Sequence, residues 1–517
     1  MRILLLGLFL ILFSCHSEEV VNPPVVNPPV VDEPTFESVL EFNPLGYTPL
    51  SAYYTLTGEE NGIIQLTIKN IDGGDDLVKT FQKESEQISI PIHGLYYNHN
   101  NQVLLDFISN GNLTSLDTLE IKTGPQPSFF PDISVTIMQK DKMEPGMNFV
   151  NFRDSAPTIP FFVDNKGHIR YVLDFTTHPD LSNLNYDVGP ERMKNGNWLF
   201  GAWPSNRVYE TDMFGEVIHR WNIPGHSFHH TAHEKEDGHI LVSTSKYGSE
   251  HPKGFDAIQD FVVELDRTKG NVILNEWDLK NSIDENRESQ GADIWNNTQL
   301  DWAHINAVID DPQDNTIIVS ARFQGLIKLN SNNEVVWILN NHRGWGNNKA
   351  GEDLNDKLLK PIDSNGELIK DISILNGEEN HPDFEWPWYQ HAPEIDADGN
   401  IFLFDNGDKR NYRIDNQYSR AVGYKINESE MTVQQIWTYG KERGDECYSR
   451  IVSDVDIEPL TGNVLFCPGA RVQNLNGFGG KIVELQYETK EVVFEMELNG
   501  NGIIFHRVER MPLYHEN

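Results

Sequence analysis

The chain has 517 residues, 38% of them hydrophobic, with 11 Trp, 17 Tyr and 26 Phe, which is enough for a substantial core and either two or three domains or one large repeat fold. Its 41 Lys and Arg are outweighed by 78 Asp and Glu, giving a formal charge of −37. That balance leaves no basic stripe to meet phosphates and excludes nucleic acid as a partner, while a local basic pocket for an anionic substrate stays compatible with it.

Met1-Arg2, the apolar run Ile3 to Phe13 and Ser14-Cys15 read as a secretory signal, too short in its apolar part to span a bilayer as a mature helix. Leu12-Phe13-Ser14-Cys15 resembles a bacterial lipobox, so residues 1–15 are expected to be a lipoprotein signal with Cys15 as the lipidated first residue. Residues 16–34 repeat Val-Val-Asn-Pro-Pro and predict an extended, semi-rigid tether behind that anchor. The expected location is the periplasm or cell surface of a bacterium, on the outer membrane, with the lipid as the sole membrane contact. A homodimer is an open possibility.

Residues 35–127 predict a small β-sandwich. Ala52 to Leu56, Gly62 to Ile68, Gln87 to Ile92 and Ser115 to Ile121 alternate or run apolar, and Asn and Gly separate them. From 128 to 517 a unit recurs. Gly196 to Phe200, Gly238 to Val242, Asn315 to Val319, Gly399 to Leu403 and Gly462 to Phe466 each start a strand at a Gly or Asn turn. A second strand and a third follow each time, the third ending near Trp221, Trp277, Trp337, Trp437 or Phe494, and the residues before each turn supply a fourth. Four short strands repeated about six times predict a six-bladed β-propeller, so the chain reads as all-β.

The residues ahead of the turns carry the chemistry. Successive units present His229-His230-Thr231-Ala232-His233, Asp301-Trp302-Ala303-His304-Ile305-Asn306, Trp388-Tyr389-Gln390-His391-Ala392-Pro393, and Tyr448 to Asp454. Matching positions in successive blades converge on one channel mouth, where a neutral imidazole acts as nucleophile or base. Arg322 ends the strand Ile317 to Ser320, one hairpin after His304, and a guanidinium suits a tetrahedral oxyanion. His229-x-x-x-His233 would also permit a metal, but Arg322 and Asn306 at the same mouth favour an anionic substrate and no metal. Cys447 and Cys467 are a candidate disulfide in an oxidising compartment. Cys467-Pro468-Gly469-Ala470-Arg471 lacks the Cys-x-Pro-x-Arg spacing of common sulfatases.

These segments, together with Ser320-Ala321-Arg322, Asn43 to Leu50 and His506-Arg507-Val508-Glu509-Arg510, resemble the bacterial arylsulfate sulfotransferases that do not use the nucleotide sulfate donor. The resemblance covers essentially the whole mature chain. It implies a small β-domain before a six-bladed propeller, and transfer of a sulfuryl group from a phenolic sulfate to a phenol through a sulfohistidine. It implies His391 as nucleophile, His304 and Asn306 as an HxN pair, Arg322 as the sulfuryl-binding arginine and His230, with His229 next, as the remaining site histidine. No cofactor is implied. His229, Trp302 and Tyr389 are the expected substrate contacts. The chain departs from the family at Thr231, where an acid is usual, in having no Cys shortly before His391, and in the long segment 341–387. The competing readings are a non-catalytic propeller lipoprotein that binds a glycan or protein, and an aryl-sulfatase-like hydrolase.

Overall fold

A computed structural model describes residues 36–152, 157–184, 189–203, 205–288, 290–475, 477–500 and 503–515. The expected signal, Cys15 and the Pro-rich tether lie outside the described residues. No helix among these residues is long and apolar enough to cross a membrane.

The first part of the chain forms two antiparallel sheets. One orders Glu37–Phe42, Ser51–Thr57 and Gln87–His93; the other orders Leu77–Lys83, Gly62–Ile68, Asn100–Ser109 and Asn112–Lys122. Period-2 patterning decides the inner faces. Ala52, Tyr54 and Leu56 meet Ile64, Leu66, Ile68, Val103, Leu105 and Phe107 in one buried cluster.

The rest closes into a ring of six blades, each built on a sheet of at least four strands. Named from the centre outward, blade three is His226–Glu234, Ile240–Lys246, Phe261–Leu265 and Ile273–Asp278. Blade four is Ile305–Asp311, Thr316–Ala321, Gly325–Leu329 and Val335–Leu339. Blade five is His391–Ile395, Ile401–Asp405, Arg420–Asn427 and Thr432–Tyr439, with Lys360–Ile362 added in parallel outside. Blades two and six begin at Glu191–Arg192 and Asp454–Ile457. Blade one takes its innermost strand, Phe505–Met511, from the chain's end and pairs it with Met147–Phe152, while Asp132–Met138 adds to the outer edge of blade six. The ring is thus closed by strands from opposite ends of the propeller segment pairing across the seam.

The turns that open the second strands are where the sequence placed them. Gly399 takes φ 81° and Asn315 φ 56°, left-handed values that these residues tolerate. Cys447 and Cys467 are free buried thiols, which corrects the expected disulfide. On the strand Val464–Cys467 side chains alternate faces: Phe466 packs with Cys447 between blades five and six, and Cys467 points with Leu465 into the opposite cluster.

Candidate active site

The innermost strands should be regular, and at one end of the channel four of them are not. The pairing register shifts between Phe228 and Ala232, between Ile305 and Ala307, between His391 and Glu394, and between Phe505 and Val508. A bulge leaves residues out of the ladder and re-aims their side chains. The displaced residues are His229, His230 and Thr231; Asn306; Ala392 and Pro393; and His506 and Arg507. His230, His304 and Ala392 adopt φ of 54°, 55° and 47°, strained values for non-glycine residues of the kind that cluster at functional sites.

The rings converge. His230 lies 5.3 Å from His229, 5.1 Å from His304 and 5.5 Å from His506, centroid to centroid, and His506 lies 6.1 Å from His391. All five are buried. Burial pushes every one of these imidazoles below its ordinary value, His229 and His391 to about 3, with neighbouring histidines and Arg322 adding to the effect. The centre is therefore a set of neutral imidazoles at physiological pH. Both ring nitrogens of His506 are buried without a hydrogen-bond partner among the described residues.

His391 is oriented by a residue the sequence reading did not single out. Asn406 Nδ2 donates to Ser449 O (2.8 Å) and Val452 O (3.0 Å), which fixes Asn406 Oδ1 as an acceptor 2.7 Å from His391 Nδ1. The Tyr389 carbonyl, 3.1 Å from the same nitrogen, is a second acceptor. Nδ1 therefore carries the proton, and the lone pair sits on Nε2, which has no hydrogen-bond partner among the described residues. Asn406 follows Asp405, which Arg410 (2.8 Å) and Arg420 (2.7 Å) hold from the same side, so the orienting residue stands on a rigid anchor. His304 is oriented differently: its Nδ1 lies 2.5 Å from Asp301 Oδ2. Burial raises that carboxyl well above its ordinary range and lowers the imidazole, so the pair shares a proton rather than standing as a full ion pair.

Arg322 is buried, and its guanidinium lies 5.0 Å from the centre of the Tyr389 ring and 5.4 Å from that of Phe323. Its Nε has no partner, and no carboxylate pairs with the side chain among the described residues. A buried, unpaired cation is costly unless an anion arrives to meet it. Lys409, 5.5 Å from the Tyr389 ring, adds positive charge at the same mouth of a strongly acidic chain. Asn306 gives one Nδ2 hydrogen to Gln390 O (2.7 Å), bracing the residue before His391, and its Oδ1 is unpartnered among the described residues.

The structure thus brings together His391, His304, His230, His229, Asn306 and Arg322. Tyr389 joins them as the floor under Arg322, its hydroxyl bonded to Gln290 O. Trp302 is not brought in: its indole donates to Asp260 Oδ2 (3.2 Å) and its ring packs in the core of blades three and four, because the bulge that turns Asn306 inward begins after it. His233 does not join His229, since Glu191 and Asp310 hold its two nitrogens at 2.9 Å each. Sequence reasoning missed His506 and Asn406. His506 stood in the quoted segment His506 to Arg510, but only the ring closure shows that the C-terminal strand lines the channel.

Comparison with known proteins follows the same outline. The family described as "Arylsulfotransferase (ASST)" matches residues 133–505, and the "Arylsulfotransferase Ig-like domain" matches residues 39–124. The chain is 28% identical to the arylsulfate sulfotransferase AssT of Escherichia coli O6:H1, covering 88% of this chain and 89% of that one. It is 27% identical, with the same coverage, to the arylsulfate sulfotransferase AssT of Lelliottia amnigena. Among solved structures, virginiamycin B lyase from Staphylococcus aureus aligns with 84% of this chain and all of that one at 11% identity and a TM-score of 0.29.

Proposed function

From the premise that this chain belongs to the arylsulfotransferase family, an enzyme family of sulfuryl transfer between aryl groups, we propose that it moves the sulfuryl group from a phenolic sulfate ester to a phenol in two steps through a sulfohistidine at His391. The observation that carries this reading is the commitment of His391 Nδ1–H to Asn406 Oδ1, which leaves Nε2 as an unengaged lone pair on an imidazole that stays neutral far below pH 7. In the first step Nε2 attacks sulfur, the sulfur–aryloxygen bond breaks, and the leaving phenolate takes a proton from the His304–Asp301 pair. Arg322 meets the sulfuryl oxygens, the charge its burial calls for, and the free Nδ2 hydrogen of Asn306 adds a second donor. In the second step the acceptor phenol returns a proton to the pair as its oxygen attacks sulfur and the sulfur–nitrogen bond breaks. The protein's own side chains suffice, with no cofactor or metal.

The test is 4-nitrophenyl sulfate with and without phenol. Release of 4-nitrophenol in steady state only when phenol is present, with phenyl sulfate as co-product, is the expected result; steady release without phenol marks a hydrolase, and no release marks a binding protein. The lipobox supports anchoring of the mature chain to the outer membrane through Cys15; labelled palmitate incorporation lost in Cys15→Ser is the corresponding check.

A further inference from the structure

Beside the histidine centre, a cavity of about 250 Å³ opens between the rims of blades two and three. Three aromatic side chains, Trp203, Tyr247 and Trp295, line it with Ser245, Lys246 and Gln259. Trp295 belongs to a small four-stranded sheet that excursions from blades three and four build together, and the left-handed pair Asn296-Asn297 closes the hairpin that carries it. None of the site side chains lines the cavity, but its backbone adjoins the site. Ser227 lines it two residues before His229, and Gln259 O accepts from the N–H of Ile305, the residue after His304, at 2.9 Å. Gln259 is only 3% exposed and holds φ of 56°, kept there by that bond and by its own N–H donating to Ser245 Oγ (2.9 Å). Its Oε1 is buried without a partner, and its amide nitrogen makes no hydrogen bond among the described residues. A buried amide oxygen left unmet calls for a donor, and the amide nitrogen beside it can donate in turn, a pairing that a hydroxyl answers. Lys246 is neutralised by Glu276 at 2.7 and 2.9 Å, so the cavity does not select an anion.

We propose that this cavity is the aryl subsite for the acceptor, and that Gln259 selects a dihydroxyaryl acceptor by bonding the ring hydroxyl that does not receive the sulfuryl group. The proposal rests on the sulfuryl-transfer reading above. The volume, below the roughly 300–1,000 Å³ of drug-sized sites, suits a body of one or two rings, and the aromatic walls offer stacking faces.

The test pairs resorcinol with phenol. With 4-nitrophenyl sulfate as donor, Gln259→Leu is expected to lower kcat/KM for resorcinol about tenfold or more, as a lost hydrogen bond to a substrate hydroxyl does, while phenol changes less than twofold. Gln259→Asn, which tolerates the left-handed backbone but withdraws the amide, is expected to match it. Equal losses for both acceptors, or none for either, overturn the proposal. Saturation-transfer NMR of resorcinol on the unreacted protein reads the same contact without catalysis, with the signal expected to be lost in Gln259→Leu and in Trp295→Ala. A retained signal in both variants overturns the subsite whatever the activity, whereas a wild-type protein that binds resorcinol through Gln259 yet transfers nothing overturns only the sulfuryl-transfer reading.

Discussion

The two ends of the central channel are built from the same innermost strands and are chemically opposite. At one end stand bulged backbone, neutral imidazoles and Arg322, with several polar atoms unpartnered. At the other end the strands run on regularly and present Glu191, Asp310, Glu394, Asp454 and Glu509 with His233, and Arg507, from the last bulge, reaches Glu191 (3.7 Å). There several groups are satisfied: His233 bridges Glu191 and Asp310, Glu394 Oε2 accepts from Ile457 N (2.9 Å), and Asp454 Oδ2 accepts from Val508 N (3.1 Å). Asp456 Oδ2 and Glu458 Oε1, by contrast, are left without a partner among the described residues. Titratable groups fill both ends, so their mere presence marks nothing. What marks the first end is that its unused hydrogen-bonding capacity sits on imidazoles, an amide and an unpaired guanidinium, groups that can meet an anionic substrate.

That contrast is open to attack from both ends. The largest effect is expected at the nucleophile: His391→Asn keeps the size but removes the attacking nitrogen, and transfer is expected to fall roughly 10⁴-fold or more; near-normal turnover would erase the distinction. Arg322→Lys keeps the charge and loses the planar fork, and kcat is expected to fall by about 10²–10³, roughly 3–4 kcal/mol in the barrier, with donor KM little changed. Asn406→Asp places a carboxylate against His391 Nδ1. By favouring the imidazolium it raises the His391 pKa, so an acid limb should appear in the pre-steady-state release of 4-nitrophenol below neutral pH, where the wild type is flat because His391 titrates near 3. A wild-type profile that already falls between pH 8 and 5 through His391 would contradict the assigned environment.

The opposite end should show the reverse. His233→Gln is expected to leave transfer within about threefold while costing roughly 3–5 kcal/mol of stability, because Glu191 and Asp310 lose a buried counterion. His233 itself, despite burial, is held up at about 10 by those two carboxylates. The smallest effect is the pH dependence of melting. Burial raises Asp454 to about 6 and, with neighbouring carboxylates, Glu509 to about 7 and Glu394 to about 8. These carboxyls therefore hold more protons in the folded chain than in the unfolded one above about pH 4, and the stability they contribute falls as pH rises through those values. The five imidazoles of the site act the other way and only below their unfolded value of about 6.5, where the unfolded chain takes up protons that the folded chain refuses. Melting temperature should thus decline by several degrees from pH 6.5 to 9; a rise over that range would show that the carboxylates are not desolvated as placed.

The blade count was legible in the sequence because each unit starts an apolar strand after a Gly or Asn turn, as at Gly399-Asn400. The converging segments with His229, His304 and His391 were legible because the repeat puts them at matching positions. Three things were not. Bulges have no signature in a period-2 pattern, so Trp302 read as a neighbour of the site although its ring faces the blade core. The chain's last strand pairs with a strand more than 350 residues earlier, and nothing local places His506 in the channel. Face alternation on Val464–Cys467, which keeps Cys467 away from Cys447, depends on which side of blade six is which, and closeness in sequence does not carry that. In the first sheets, Leu77–Lys83 escaped notice because its apolar positions are interleaved with Lys and Gln on an exposed face.

The central claim is that His391 Nε2, freed by Asn406, takes the sulfuryl group. Intact-protein mass spectrometry after mixing with 4-nitrophenyl sulfate alone, at neutral or mildly alkaline pH, tests it most directly. The account predicts a mass gain of one sulfuryl group on the wild type, located to His391 by fragmentation, discharged by phenol and absent in His391→Ala. A sulfuryl adduct that persists in His391→Ala, or full transfer by that variant without any adduct, would contradict it.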